Sequence, residues 1–409
     1  LNDFPWDRYP DVLIAFLEMS MRRLVLVLSV MSAFTSVAHA QSSVTLYGLI
    51  DEGLDYTNNV RGHSLYAMSS GDGYGSRWGL KGTEDLGGGL STIFQLENGF
   101  NVNRGTLGEE GQEFGRQAFV GLSSKAVGTL TLGRQYDSLV DYLAPLTING
   151  SWGGAMFSHP YDNDNTDNTF RINNSVKYAS VNYGGFTFGG AYAFSNSTSF
   201  ADNRAQSVGA QYTGGPLTVA AAYLNVDNPN NGSAGAVANL GSSGTDGSWT
   251  AARQRIFGAG ISYTIAAATL GFVYTNTNLS QPTATEYANL APSPTLGAAS
   301  SLKFNNFEVN AKYQFTPAFY VGGMYTYTRA IYDGASGGSA AAKYNQFGLM
   351  ADYNLSKRTD VYLQGAYIKV ASDPSLAGTG LEFAANVDAA GPSSSSKQFI
   401  ARIALRHTF

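Results

Sequence analysis

From Val44 to Phe409 the chain repeats with a period of two, and the repeating segments are joined by connections that alternate between short and long. A period of two is the mark of strands whose two faces meet different surroundings. Such segments lie at 44–56, 76–81, 94–97, 116–122, 129–134, 171–178, 186–194, 206–212, 217–226, 253–265, 269–276, 307–315, 319–327, 346–355, 360–370 and 398–409, sixteen in all. Short turns at 85–89, 124–128, 183–185, 214–216, 266–268, 316–318 and 356–358 alternate with long Asn/Ser/Gly-rich loops at 58–73, 101–112, 135–169, 195–205, 227–252, 278–302, 330–342 and 371–397. An even strand number with every long loop at one end is the pattern of a transmembrane β-barrel. A soluble sandwich or propeller has no reason to sort its loops this way. The predicted fold is therefore all-β, a 16-stranded antiparallel transmembrane barrel.

Composition agrees. Only 13% of the 409 residues are charged, while Gly, Tyr and Phe number 48, 25 and 23, against a usual charged share near 25%. Past the N-terminus no apolar run approaches the roughly 20 residues of a spanning helix. The net charge of −5 argues against a nucleic-acid partner, and the absence of Cys excludes thiol chemistry and a disulfide scaffold. At the N-terminus Met21-Arg22-Arg23, an apolar stretch over 24–34 and Ala38-His39-Ala40 read as a signal peptide at 21–40 cut before Gln41. Residues 1–20 read as an over-extended start, which leaves 41–409 as the barrel domain.

The longest interruption between adjacent strands before residue 200 is 135–171, QYDSLVDYLAPLTINGSWGGAMFSHPYDNDNTDNTFR. Loops beyond about 12–15 residues are uncommon and usually functional. This one is expected to fold into the bore and narrow it over about 135–170. Asp162, Asp164 and Asp167 are its candidate pore-lining acids, with Asp137 and Asp141 in reserve. Alternation turns Arg77 and Lys81 inward, opposite Trp78 and Leu80. Glu97 shares the inward face with Gln95. In the last segment Arg402 and Arg406 face inward while Phe399, Ala401, Ile403 and Leu405 face out. Arg134 shares a face with Leu130 and Leu132 and so points away from the lumen.

On these strands and their turns lie Val44-Thr45-Leu46-Tyr47-Gly48, the run from Ser76 through Lys81 to Gly82-Thr83-Glu84-Asp85-Leu86-Gly87-Gly88-Gly89-Leu90, Gly115-Arg116-Gln117-Ala118-Phe119-Val120-Gly121-Leu122, Leu132-Gly133-Arg134-Gln135, Arg171-Ile172-Asn173-Asn174-Ser175-Val176-Lys177-Tyr178 and the terminal Phe409. In this order they resemble the Gram-negative general porins, especially the trimeric porins of β-proteobacteria, over essentially all of 42–409. The resemblance implies a homotrimer in outer-membrane lipid and lipopolysaccharide, with an inward-folded third external loop. It also implies a general diffusion channel for small hydrophilic solutes and ions. It places Arg77, Arg116 and Arg171 on the basic wall of the constriction, with Lys81 and Lys177 sharing their inward parity, and Glu97 as a lumen glutamate. Arg134 matches an arginine near the subunit contact and second loop, and Phe409 a terminal signal read by the outer-membrane barrel assembly machinery. Five bases against four acids is a near balance; it leaves the sign of charge selectivity open, with a lean to anions. Opposed charge rows across a narrow wet gap would set up a transverse field that passes polar solutes and slows apolar ones.

Competing readings are weaker. Asp162-Asn163-Asp164-Asn165-Thr166-Asp167 has Asp167 where a calcium EF-hand loop needs Gly, though a looser divalent site at the constriction or an interface stays open. His63, His159 and His407 are widely spaced, and His159 reads as pore lining rather than a catalytic base, so no enzyme and no cofactor are expected. Tyr178, Tyr263, Tyr274, Tyr313, Tyr325 and Tyr353 suit interfacial girdles. Alternative functions are a substrate-selective channel for organic acids or phosphate, and a surface barrel whose loops serve adhesion or phage docking.

Overall fold

A strand in hydrocarbon cannot leave an edge unpaired, because nothing around it can satisfy the amides. The chain answers this by closing a sixteen-strand antiparallel sheet on itself. The strands are β1 (Ser43–Val60), β2 (Arg77–Gly87), β3 (Leu90–Asn101), β4 (Gln117–Ser124), β5 (Gly128–Gln135), β6 (Ile172–Ala179), β7 (Phe186–Ala193) and β8 (Ala205–Gly214). They continue with β9 (Leu217–Asp227), β10 (Arg253–Ile265), β11 (Ala268–Ser280), β12 (Ala299–Thr316), β13 (Phe319–Gly334), β14 (Ser339–Asn354), β15 (Thr359–Ser372) and β16 (Lys397–Thr408). The structure, a computed structural model, describes residues 43–229, 231, 234–237, 249–285, 296, 299–385 and 393–409. The expected signal peptide, its cleavage point and the segment 1–20 lie outside the described residues. Each strand pairs with the next, and β16 returns to β1 with Leu49 opposite Thr408 through Thr57 opposite Ile400. Terminal Phe409 completes the seam, its N–H donating to Gly48 O at 3.0 Å and its carbonyl accepting from Gly48 N at 3.1 Å.

Several strands are longer than their alternation predicted. β12 begins at Ala299 rather than 307, β13 runs to Gly334 rather than 327, and β14 begins at Ser339 rather than 346. The reason is an inversion of the pattern at the outer end. There the inward residues Leu302, Phe304, Ala330, Ala342 and Tyr344 are apolar and buried, packed with Trp249, Leu376 and Leu381 of the external loops. The outward residues at the same height are Lys303, Asn305, Arg329 and Lys343. A search for apolar-out alternation stops where the phase flips. Within the expected loop 58–73, His63–Ser70 pairs back onto the upper half of β1.

The segment between β5 and β6 crosses the bore. Leu139 and Leu143 pack with Leu224, Ile256 and Val273 on the inner wall. Further along, Ile148, Met156 and Phe157 pack with Tyr320, Met324 and Met350. The wall is hollowed to receive it. A Cβ on Gly348 would lie 2.3 Å from the Phe157 ring, and one on Gly322 would lie 2.1 Å from Trp152.

At the seam, fully buried Arg402 of β16 reaches across to β1. Its guanidinium meets Asp51 at 2.6 Å and Asp55 at 3.0 Å, and Arg406 meets Asp360 of β15 at 2.9 Å. Removing one member of a buried pair typically costs about 3–5 kcal/mol, because the other charge is stranded. Arg402→Met is therefore expected to lower the temperature at which the barrel loses its compact electrophoretic form. The triple variant with Asp51→Asn and Asp55→Asn should recover part of the loss. Heat-modifiability gels measure both.

Candidate functional site: the channel constriction

Arg77, Arg116 and Arg171 converge on one cleft of about 360 Å³ between the wall and the crossing loop. Arg77 enters from the top of β2, and Arg116 from the residue before β4. Arg171 comes from the end of the crossing loop, just before β6. Strand alternation does not place Arg171: Asn174 adopts a left-handed backbone (φ 53°) and the β5–β6 register shifts there. Ile172 consequently turns into the buried cluster against the loop. Across the cleft lie Asn149, Gly150, Thr166, Asp167, Asn168 and Thr169, with Gly71, Gly73 and Tyr74 of the first loop at one side.

The acids differ from the sequence reading. Of the three aspartates expected to line the pore, the structure brings only Asp167 to the cleft. Asp162 is turned inside the loop, accepting from the Asp167 N–H at 3.0 Å and from the Thr169 N–H and hydroxyl. Asp164 is fully buried and faces the opposite wall. Two left-handed residues, Tyr161 (φ 64°) and Asp162 (φ 39°), reverse the chain between them, which no strand-based parity could anticipate. The reserve acids also pair locally. Asp141 meets Lys177 at 2.5 Å, and Asp137 accepts from Leu139 N and Asn165 Nδ2.

Glu97 does face inward, held by the Tyr47 hydroxyl at 2.8 Å and Arg116 Nε at 2.9 Å. A second glutamate, Glu109 of the loop between β3 and β4, was missed by sequence reasoning. It bridges Arg116 at 3.2 Å and Arg171 at 3.3 Å. Its only signal was an Asp/Glu-bearing loop next to the third; the bridge itself is a tertiary fact. Lys81 lies further toward the periplasmic turn with its Nζ 5.0 Å from the Tyr47 ring centroid, and neither it nor Lys177 lines the cleft. Arg134, on the apolar parity of β5, is nonetheless mostly buried and donates to Gly115 O at 2.7 Å and Asn173 Oδ1 at 2.6 Å.

His159 is no pore-lining residue. It is fully buried between Asp164 (Nδ1 to Oδ2, 2.6 Å) and Glu308 of β12 (Nε2 to Oε2, 3.2 Å). Thr275 of β11 donates to Asp164 at 2.5 Å, and Asn306 of β12 donates to Asn163 at 2.9 Å. Glu308 also accepts from Ile148 N at 2.9 Å, so one carboxylate fixes two points of the loop. Burial opposes the imidazolium, but the facing Asp164 and Glu308 carboxylates outweigh it and lift His159 to about 10. Burial likewise opposes charge on Asp164, yet His159 and the Thr275 and Thr166 hydroxyls hold it below the usual carboxylate range. At Asp167 burial wins over the Ser158 hydroxyl and the Arg171 and Arg116 charges, pushing it up to about 7.

A closed barrel whose bore holds a charged cleft is the architecture of a passive membrane channel. Residues 27–372 match the Gram-negative porin family, and the chain belongs to it. It is 34% identical over 390 residues to an outer membrane porin protein of Bordetella pertussis, covering 85% of this chain and 94% of that one. It is 30% identical to outer membrane porin protein 32 of Delftia acidovorans, covering 95% of this chain and all of its relative. Among solved structures, an anion-selective porin from Comamonas acidovorans superposes with a TM-score of 0.67 at 25% identity, covering 90% of this chain and 100% of that one. The protein is an outer-membrane porin, forming a water-filled path for passive movement of small hydrophilic solutes and ions.

The anchor makes a pH-dependent prediction. A His whose value is raised on folding stabilises fully below its ordinary value near 6.5 and loses that contribution as pH rises through about 10. Asp164, depressed on folding, contributes above its ordinary carboxylate value and loses it as pH falls through the lower folded one. Protease cleavage within 136–170 should thus be slowest between about pH 4 and 6.5 and rise progressively as pH climbs from there through about 10. Glu308→Ala should raise cleavage at every pH and make single-channel currents noisier, which digestion and bilayer recordings check.

Proposed function

We propose that the cleft between Arg77, Arg116 and Arg171 and the crossing loop is the channel's selectivity region, and that it favours anions. The observation that carries this is the inventory of that gap. Three guanidiniums reach it, while the only loop carboxylate lining it, Asp167, has a value raised to about 7. Glu97 and Glu109 offset part of the positive charge but are spent on Arg116 and Arg171. The 25%-identical Comamonas porin described as anion-selective supports the same sign. Fixed charges facing each other across low-dielectric walls focus a transverse field that favours small polar solutes. Conduction is passive, with no catalytic step. Lys81 and Lys177 act as outlying lumen cations, and Asp162 and Asp164 shape the loop rather than the field.

The assembly is proposed to be a homotrimer. Strands β4 to β7 have eight residues each, whereas β12 to β15 have 14 to 18. Eight tilted residues reach only about 19 Å, short of the roughly 25 Å apolar band of an outer-membrane barrel. A wall this low suits packing against another subunit, with Arg134 stiffening its rim beside the second loop. A leader removed from 21–40, delivery by the barrel assembly machinery through Phe409, and contact with lipopolysaccharide complete the reading.

Selectivity should follow Asp167. Below its value of about 7 the carboxyl is neutral and the arginines dominate; above it the loop is negative. The reversal potential in a KCl gradient is expected to become more anion-selective from pH 8 to pH 6. Asp167→Asn should fix the channel near its low-pH selectivity and flatten the dependence. A cation-selective channel at pH 6, or a pH dependence unchanged in the variant, would sink the assignment.

A further inference from the structure

The outer rim of the barrel carries like charges placed face to face. On β13 and β14, Arg329 is directly opposite Lys343; on β15 and β16, Lys369 is directly opposite Lys397. All four side chains are exposed and on outward parity. Like charges opposite each other across antiparallel strands repel and destabilise the pair. Elsewhere on this rim the problem is solved by a carboxylate: Arg253 is held by Asp227 at 3.1 Å and Lys303 by Asp333 at 3.2 Å. Among the described residues these four have no ion-pair partner. Asp373, just past the outer end of β15, accepts from the Ala341 N–H and forms no ion pair with them.

The register below them is ordered. One rung inward from Lys369 and Lys397 lies an aromatic row in which Phe347, Tyr367 and Phe399 are successive cross-strand partners. One rung further, Leu349, Gly365 and Ala401 form the next row. Gly365 and Ala401 leave a trough between Leu349, Leu363 and the aromatic row, an open apolar groove of about 550 Å³. From Lys343 to Tyr353 at the lower girdle is ten residues, about 24 Å of membrane height for tilted strands. That is the thickness of the apolar band, so the four cations sit where outer-leaflet headgroups begin.

We propose that Arg329, Lys343, Lys369 and Lys397, together with the groove beneath them, bind a doubly phosphorylated, multiply acylated glycolipid of the outer leaflet. One phosphate sits between Lys369 and Lys397, a second between Arg329 and Lys343, and an acyl chain lies in the trough over Gly365 and Ala401. Two strand spacings and one rung separate the two cation pairs, about 12 Å, so the ligand must carry two anions at that spacing rather than one. The inference rests on the outer-membrane placement and deepens it from general lipid contact to a specific site.

The test uses the detergent-solubilised protein with bisphosphorylated lipid A, the same lipid A dephosphorylated, and phosphatidylglycerol as probes, read by native mass spectrometry. Wild type is expected to hold bisphosphorylated lipid A at least roughly tenfold more tightly than either other lipid. R329Q/K343Q/K369Q/K397Q should lose that preference, and the milder K369Q/K397Q part of it. A control pair at the opposite rim, K125Q/K357Q, should keep it. Equal binding of the three lipids by wild type, an undiminished preference in the quadruple variant, or the same loss in the control pair would overturn the site. Single-channel conductance recorded in parallel separates the two readings: lost lipid preference with unchanged conductance leaves the channel intact, and absent conductance in wild type indicts the channel reading instead.

Discussion

Hydrocarbon offers no hydrogen bonds, and most of this structure follows from that deprivation. Every strand must be flanked on both edges, so the sheet closes and β16 must find β1. Closure fixes which residues face in, and the inward set cannot be apolar throughout without filling the bore. Arg402, Asp51 and Asp55 show the result at the seam itself, where the interior supplies a buried ion cluster linking the first and last strands. Above the membrane the constraint lifts, and the pattern inverts: apolar residues turn in under the folded loops, and Lys and Arg turn out.

A barrel alone gives a wide hole. What narrows it is the segment after β5, which contributes apolar side chains to one inner wall and lines the arginine-bearing cleft facing the other. Leu143, Trp152 and Phe157 provide the packing, with glycines in the wall making room. His159, Asp164 and Glu308 provide the register. A buried ionic knot is a poor source of net stability, but in this fold any other docking of the loop would strand the charge of Asp164 or Glu308 in a dry site. The knot also explains why Asp164 is unavailable to the pore.

The barrel was legible in the sequence because alternation and loop length are local signals repeated many times over. The basic wall was legible for Arg77, whose inward parity follows from Trp78 and Leu80 beside it. It was less so for Arg171, where the left-handed Asn174 breaks the count. The acids were hardest. Asp162, Asp164 and Asp167 look equivalent in a run of alternating polar residues, and only the reversal at Tyr161 and Asp162 separates them into a loop staple, a wall anchor and a group lining the arginine cleft. His159 read as pore lining for the same reason: its two partners are 5 and 149 residues away. Glu109 carried no pattern that marked it as a bridge.

The loop rests against β14, and a solute path on the arginine side requires that it stay there while the channel conducts. The chain has no Cys, and Phe157 sits directly over Gly348, so Phe157→Cys with Gly348→Cys places two thiols within reach of the geometry a disulfide needs. The most direct measurement is single-channel conductance of that double variant before and after oxidation. Rapid cross-linking is expected of this loop placement, with conductance and selectivity close to those of the reduced form. Failure to cross-link in the folded barrel, or a collapse of conductance once linked, would contradict it.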